Sequence, residues 1–169
     1  MVQTNYDATS CYDRIIICLA MLVSRKYDVP REITQTNATA LEHATYWIRS
    51  ELGVADDGYQ HSAENPIYGT GQGSGNSPMI WCFLLNVLFQ MNDELCHKAH
   101  YCRPDRTNPM DLGMIGFVDD SNGQTQIPQR YPATILHHQL RQNAEIWADV
   151  LGTSGGALEL TECSCHLAV

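Results

Sequence analysis

The apolar segment Met114-Ile115-Gly116-Phe117-Val118 stops abruptly at Asp119-Asp120-Ser121-Asn122-Gly123, and this junction restricts the fold more than any other stretch of the chain. An apolar run of strand length, Leu112 to Val118, halted by Asp, Ser, Asn and Gly reads as the first arm of a β-hairpin, because those residues suit tight turns. The return strand is expected to start near Gln124. Adjacent carboxylates in a dry turn raise one another's pKa unless a cation neutralises them, and a divalent metal is the simplest remedy. Taken alone, Asp119 and Asp120 also read as two solvated turn residues. The apolar lead-in favours the metal reading, because it predicts a buried strand that delivers both carboxylates. Asp56-Asp57 has no such lead-in and reads as solvated.

The remaining segments supply the partners of that hairpin. A short strand is predicted to end near Asp7, followed by a helix that places Ile16, Leu19, Ala20 and Val23 on one face, with Thr9 or Ser10 as its cap. Pro30 breaks the pattern. A second amphipathic helix is expected with Leu41, Ala44, Ile48 and Leu52 on one face and Gly53 as its stop. Four of the chain's twelve glycines fall between Gly69 and Gly75, where the backbone must bend sharply or approach a neighbour closely. Ser77-Pro78 predicts a helix start, serine as cap and proline at the first helical position, with Trp81, Leu84, Leu85 and Leu88 inward and an end near His97. A loop holding Pro104 and Pro109 leads to the hairpin. After Pro128 and Pro132 a third long helix carries Leu140, Ala144, Trp147 and Leu151 on its buried face, and Gly155-Gly156 precede two short strands. This order predicts an α+β fold, an antiparallel sheet with helices packed on one face.

A chain of 169 residues with 44% hydrophobic content suits one globular domain, 1–169. Its longest apolar stretch, Ile15 to Val23, is too short to span a bilayer, and the start of the chain lacks a basic region leading into an apolar run, so an intracellular location without membrane contact is expected. Seven scattered cysteines read as reduced thiols. Cys96, His97, His100 and Cys102 lie close together, as do Cys163, Cys165 and His166, but neither group has zinc-finger spacing. A zinc-binding interaction module built on them is a competing reading. The net charge of −9, from 10 basic and 19 acidic residues, argues against free-standing nucleic-acid binding, which depends on Lys and Arg.

Asp7 falls at a predicted strand end, where a neighbouring strand could set it opposite the hairpin tip. By itself it also reads as a helix-capping aspartate. With Asp119 and Asp120 it forms an all-oxygen set suited to magnesium, which commonly completes its shell with water and substrate phosphates. Two such ions clamp attacking and leaving oxygens in phosphoryl transfer.

Over nearly its whole length, and in the same order, the chain resembles the palm motifs of reverse transcriptases, of the kind found in non-LTR retrotransposons. Asp7-Ala8-Thr9-Ser10-Cys11-Tyr12-Asp13 resembles the first motif. The resemblance implies that Asp7 and the carbonyl of Ala8 bind metal, and that Tyr12 lies under the sugar and excludes a 2′-hydroxyl. Gly69-Thr70-Gly71-Gln72-Gly73-Ser74-Gly75-Asn76-Ser77-Pro78 resembles the second motif, Gly-x-x-Gln-Gly-x-x-x-Ser-Pro, at every fixed position. Gln72 and Gly73 are thereby expected to shape the pocket for template base and incoming nucleotide; without the resemblance the segment is a flexible loop before a helix. Phe117-Val118-Asp119-Asp120 resembles the third motif, with Phe117 where tyrosine is usual and Asp119 and Asp120 as metal ligands.

Ser154-Gly155-Gly156-Ala157-Leu158-Glu159-Leu160 is similar to the segment after which the family often carries a lysine; here Glu162 and Cys163 occupy that neighbourhood. The resemblance implies a polymerase palm over 1–169, an RNA-directed DNA polymerase joining dNTPs to a primer 3′-hydroxyl on an RNA or DNA template. Two magnesium ions are the expected cofactors, with manganese as a substitute. The basic fingers and thumb are expected to lie outside the chain, which opens in the first motif and closes after the fourth. Two other expectations compete, a catalytically inactive palm fragment derived from a retroelement and a nucleotide cyclase, and the complete Gly69 to Pro78 match argues against the cyclase.

Overall fold

The computed structural model describes residues 1–64, 66, 68–71, 73–102, 105, 107–126 and 131–167. Gln72, Pro104 and Pro128 lie outside them. The chain begins with strand β1 (Val2–Asp7), in which Val2, Thr4 and Tyr6 are buried while Gln3, Asn5 and Asp7 turn to the other face. A single helical turn, α1 (Cys11–Arg14), precedes α2 (Ile17–Lys26), and α3 (Arg31–Glu42) follows the break at Pro30. Ser10 occupies the cap position of α1 with a left-handed backbone and makes no side-chain capping bond.

The predicted helical face Leu41, Ala44, Ile48, Leu52 does not form. The helix stops at Glu42, and the next residues build an extended arm of four short strands, β2 (Thr45–Tyr46), β3 (Arg49–Ser50), β4 (Gly53–Val54) and β5 (Tyr59–Gln60), in which β2 pairs with β5 and β3 with β4. The reason is local: Thr45-Tyr46-Trp47-Ile48 is a β-branched and aromatic run, and such side chains prefer the pleated state. Tyr46 and Tyr59 stack across the arm with ring centroids 5.4 Å apart, and Leu52 at its tip is 100% exposed.

Helix α4 (Ser77–Leu95) runs almost to the predicted end, but Ser77 lies inside it and Asn76 takes the cap position. After it come β6 (Ala99–Tyr101) and β7 (Met110–Leu112), paired with each other. The hairpin follows as β8 (Met114–Phe117) and β9 (Asp120–Thr125), then α5 (Ala133–Gly152) and β10 (Ser164–Leu167). Of the two predicted final strands only β10 is formed among the described residues; Leu158 contributes an isolated antiparallel bridge to Ala8.

Strands β10, β1, β9 and β8 form one antiparallel sheet in that order. Helices α4 and α5 supply Trp81, Leu84, Leu88, Trp147 and Leu151 to a core that also holds Tyr6 and Ile15. The opposite face of β1 and β9 is polar: Gln3 Nε2 donates to Asn122 Oδ1 at 2.8 Å and to Asn5 Oδ1 at 3.1 Å. The fold is therefore mixed α and β with small antiparallel sheets, as the order of elements predicts. Two details of the hairpin differ from expectation. Its return strand begins at Asp120, not near Gln124, and its lead-in strand is an exposed edge, with Phe117 77% exposed.

Candidate active site

The three aspartates named from sequence come to one end of the sheet. Asp7 and Asp120 are direct partners across the β1–β9 pair, so their side chains leave on the same face. That face is the polar one of Gln3, Asn5 and Asn122. Asp119 lies in the two-residue turn joining Phe117 to Asp120, and its carbonyl accepts the amide of Ala8 at 3.3 Å. A backbone bond thus ties the residue after Asp7 to the residue before Asp120.

The turn is held in an uncommon shape. Val118 has φ 57, a left-handed value that a β-branched residue rarely adopts. Trp81, buried to 1% exposure in α4, donates its indole N–H to the Val118 carbonyl. A fixed donor beneath the turn offsets part of a backbone cost of about 1–3 kcal/mol. Sequence reasoning placed Trp81 only in the core; the spacing that makes a tryptophan face inward carries no sign of a hydrogen bond to the hairpin.

Tyr12 and Ala8 lie on the core side of this cluster. Ala8 is buried, and Tyr12 packs edge-on against Trp81 with centroids 6.5 Å apart. Burial first, then the charges of Cys11 and Asp119, raise the Tyr12 phenol above its usual value. Burial and then Asp119 push the neighbouring Cys11 thiol up to about 11. Asp119 therefore lies near both.

The Gly-rich turn docks on the same helical turn. Gly69 donates to the Ile15 carbonyl and Thr70 to the Tyr12 carbonyl, both at 2.8 Å. Gly69 has φ +89, and a Cβ there would lie 2.5 Å from the Asp13 Cα and the Tyr12 oxygen, so only glycine fits. Gly73 also has φ +89, with open space around it. Ser77 Oγ bridges the carbonyls of Thr70 and Gly71 at 2.9 and 2.8 Å, which fixes the turn to the start of α4. The expected role of Gln72 falls on a residue outside those described. Phe117 faces Asp120 across the hairpin with its ring exposed.

Glu162 is a fourth carboxyl at this end. The charge of Asp7 and then a hydrogen bond to Asp7 hold it above the usual carboxylate range, and Glu159 and Asp120 add to the effect. Its neighbourhood is reached because Glu159 N–H donates to the Asp7 carbonyl at 2.9 Å and Thr9 N–H to that of Ala157 at 2.9 Å. Among the described residues no lysine or arginine forms an ion pair with Asp7, Asp119 or Asp120.

Among the described residues, no three His, Cys, Asp or Glu side chains are gathered as a ready ion cage. This holds for the two cysteine and histidine groups as well. Cys96 donates to Asn92 Oδ1 at 2.9 Å, and His100 pairs with Asp111 instead of with a thiol. The described cysteines are free. Among the described residues no helix is long and apolar enough to cross a membrane. No known family's profile matches the chain, and no curated protein matches it.

Proposed function

We propose that this chain is the palm portion of an RNA-directed DNA polymerase, joining dNTPs to a primer 3′-hydroxyl. The observation that carries the reading is the pairing of Asp7 with Asp120 on adjacent strands, with Asp119 tied by its backbone to Ala8. Segments more than a hundred residues apart in sequence thus present three carboxylates at one sheet end. The docking of the Gly69–Thr70 backbone on Tyr12 supports it further, since it joins the second resembling motif to the first.

Divalent magnesium, or manganese in its place, suits this donor set: the groups are hard oxygens without a basic partner among the described residues, and the raised Glu162 carboxyl marks an excess of negative charge. Magnesium commonly takes one or two carboxylates and draws its other ligands from water and substrate phosphates, so a ready cage of three side chains is not required. Asp7, Asp119 and Asp120, with the Ala8 carbonyl, would hold the ions. When bound, they supply Lewis-acid stabilisation to the oxygens of the transferring phosphoryl group.

The protein's own residues orient and select. Tyr12, its ring fixed against Trp81, is the floor on which the sugar of an incoming nucleotide rests and the obstacle to a 2′-hydroxyl. Gly73 and the turn around it, anchored through Ser77, would flank the template base, and the resemblance gives Gln72 the same role. Phe117 contributes an exposed ring beside Asp120. An RNA or DNA template with its primer needs basic surface that an overall charge of −9 does not supply. Fingers and thumb regions carried on other parts of a longer polymerase are its proposed home.

A second reading, an inactive palm fragment, is favoured by Glu162, a carboxyl set against Asp7 where the resembling family often has a lysine. Primer extension separates the two. A polypeptide carrying this chain, given an RNA template, a DNA primer, dNTPs and magnesium, is expected to extend the primer, and its Asp119→Ala variant is expected not to. Absence of extension from both, in a folded protein that retains the primer and template, supports the inactive reading.

A further inference from the structure

A groove of about 480 Å³ runs between α2 and α3, and none of the three aspartates lines it. The two helices are joined by the short connection Tyr27–Pro30, so they lie side by side in opposite directions. That arrangement orders the lining. Arg25 at the end of α2 and Arg31 at the start of α3 line the connected end, whereas Ile17 and Glu42 line the other. Between them Met21, Leu22 and Ala38 supply apolar wall, with Cys18, Thr34 and Gln35 beside them. Leu22 is 68% exposed, an apolar side chain in water with nothing over it.

The charge pattern identifies an occupant. The chain has 10 basic residues against 19 acidic ones, yet two arginines converge on one end of this groove. Neither forms an ion pair among the described residues. Arg25 spends one N–H on the Val29 carbonyl, which leaves most of its five donors free. Asp28 and Glu32, the acidic residues nearest that end in sequence, do not line the groove. From Ile17 to Arg25 the helix rises about 12 Å, the reach of a chain of roughly ten carbons. A mainly apolar cleft of this volume with a few convergent polar groups is the usual form of a small-molecule site.

We infer that the groove between α2 and α3 binds an amphiphilic carboxylate, its apolar chain along Met21, Leu22 and Ala38 and its anionic head on Arg25 and Arg31. Glu42 at the far end adds selectivity, because it repels a ligand inserted head-first from that side. The site is independent of the polymerase reading.

Cys18 lines the same groove and is exposed, so its alkylation reports occupancy directly. The test compares decanoate, decanol and decylammonium as protectants of Cys18 against iodoacetamide, with modification at that residue followed by peptide mass spectrometry. Decanoate is expected to slow Cys18 alkylation about tenfold more than decanol, the ratio expected of a charge-assisted pair, and decylammonium is expected to protect least. The Arg25→Ala/Arg31→Ala double variant is expected to remove the difference between decanoate and decanol. Equal protection by all three compounds, or a preference for decanoate that survives the double substitution, overturns the inference. The ranking in the unaltered chain stands even if the double variant fails to fold.

Discussion

Gly69 carries a constraint that no other residue type satisfies, since its φ of +89 and the 2.5 Å approach of a would-be Cβ to the Asp13 Cα and Tyr12 oxygen both exclude a side chain. Gly69→Ala is therefore expected to cost about 2–3 kcal/mol, a fall in melting temperature of roughly 5–10 °C by circular dichroism. At Tyr12 the expected effect is on selection: Tyr12→Ala should raise the ratio of ribonucleotide to deoxynucleotide incorporation about tenfold or more in single-turnover assays.

Glu162 allows a sign to be worked out. A carboxyl whose folded pKa is raised binds its proton more tightly in the folded chain than in the unfolded one. It subtracts stability above the raised value, and the loss is recovered as pH falls through that value toward the ordinary one. Glu162→Gln should accordingly raise the melting temperature at pH 7, with the gain shrinking as the solution is acidified through the raised value. A gain that is constant with pH contradicts the charge argument.

Helix α5 is joined to β9 and to the segment after α4 through Asn143. Its side-chain Nδ2 donates to the His97 carbonyl and to Thr125 Oγ1, each at 2.9 Å, while its Oδ1 accepts the His97 amide at 2.9 Å. Asn143→Ala removes one buried and two partly buried hydrogen bonds, and a loss of about 1–3 kcal/mol is expected in urea unfolding.

At this scale much of the architecture was legible, because long amphipathic helices announce themselves by period: Leu84, Leu85 and Leu88 in α4 and Trp147 and Leu151 in α5 are buried as their spacing predicts. The same reasoning failed where apolar spacing met a β-branched run, at Thr45 to Ile48. It also misplaced the return strand, since Ser121, Asn122 and Gly123 look like turn residues yet pair with β1, where Gly123 makes room for the Tyr6 ring. The exposure of β8 was invisible for a related reason: an apolar run does not disclose whether its strand is central or at an edge. Of the site, the carboxylates could be named from sequence, but the indole bond beneath Val118 and the contact of Glu162 with Asp7 depend on how α4 and the segment before β10 pack.

For the molecule as a whole, the apparent conflict is between an acidic chain and a proposed substrate that is a polyanion. The proposed divalent-cation site at the strand ends would remove that conflict locally, and basic surface on the proposed fingers and thumb would remove it globally. The local part can be tested on this chain without template or primer. Titration with Mn²⁺, read as loss of the free-ion electron paramagnetic resonance signal, should show saturable binding in the parent chain and in an Asp56→Asn/Asp57→Asn control. Binding should be lost in Asp7→Asn and in Asp120→Asn. Equal binding by all four proteins would place the ion elsewhere or nowhere, and would contradict the claim that these carboxylates form one metal site.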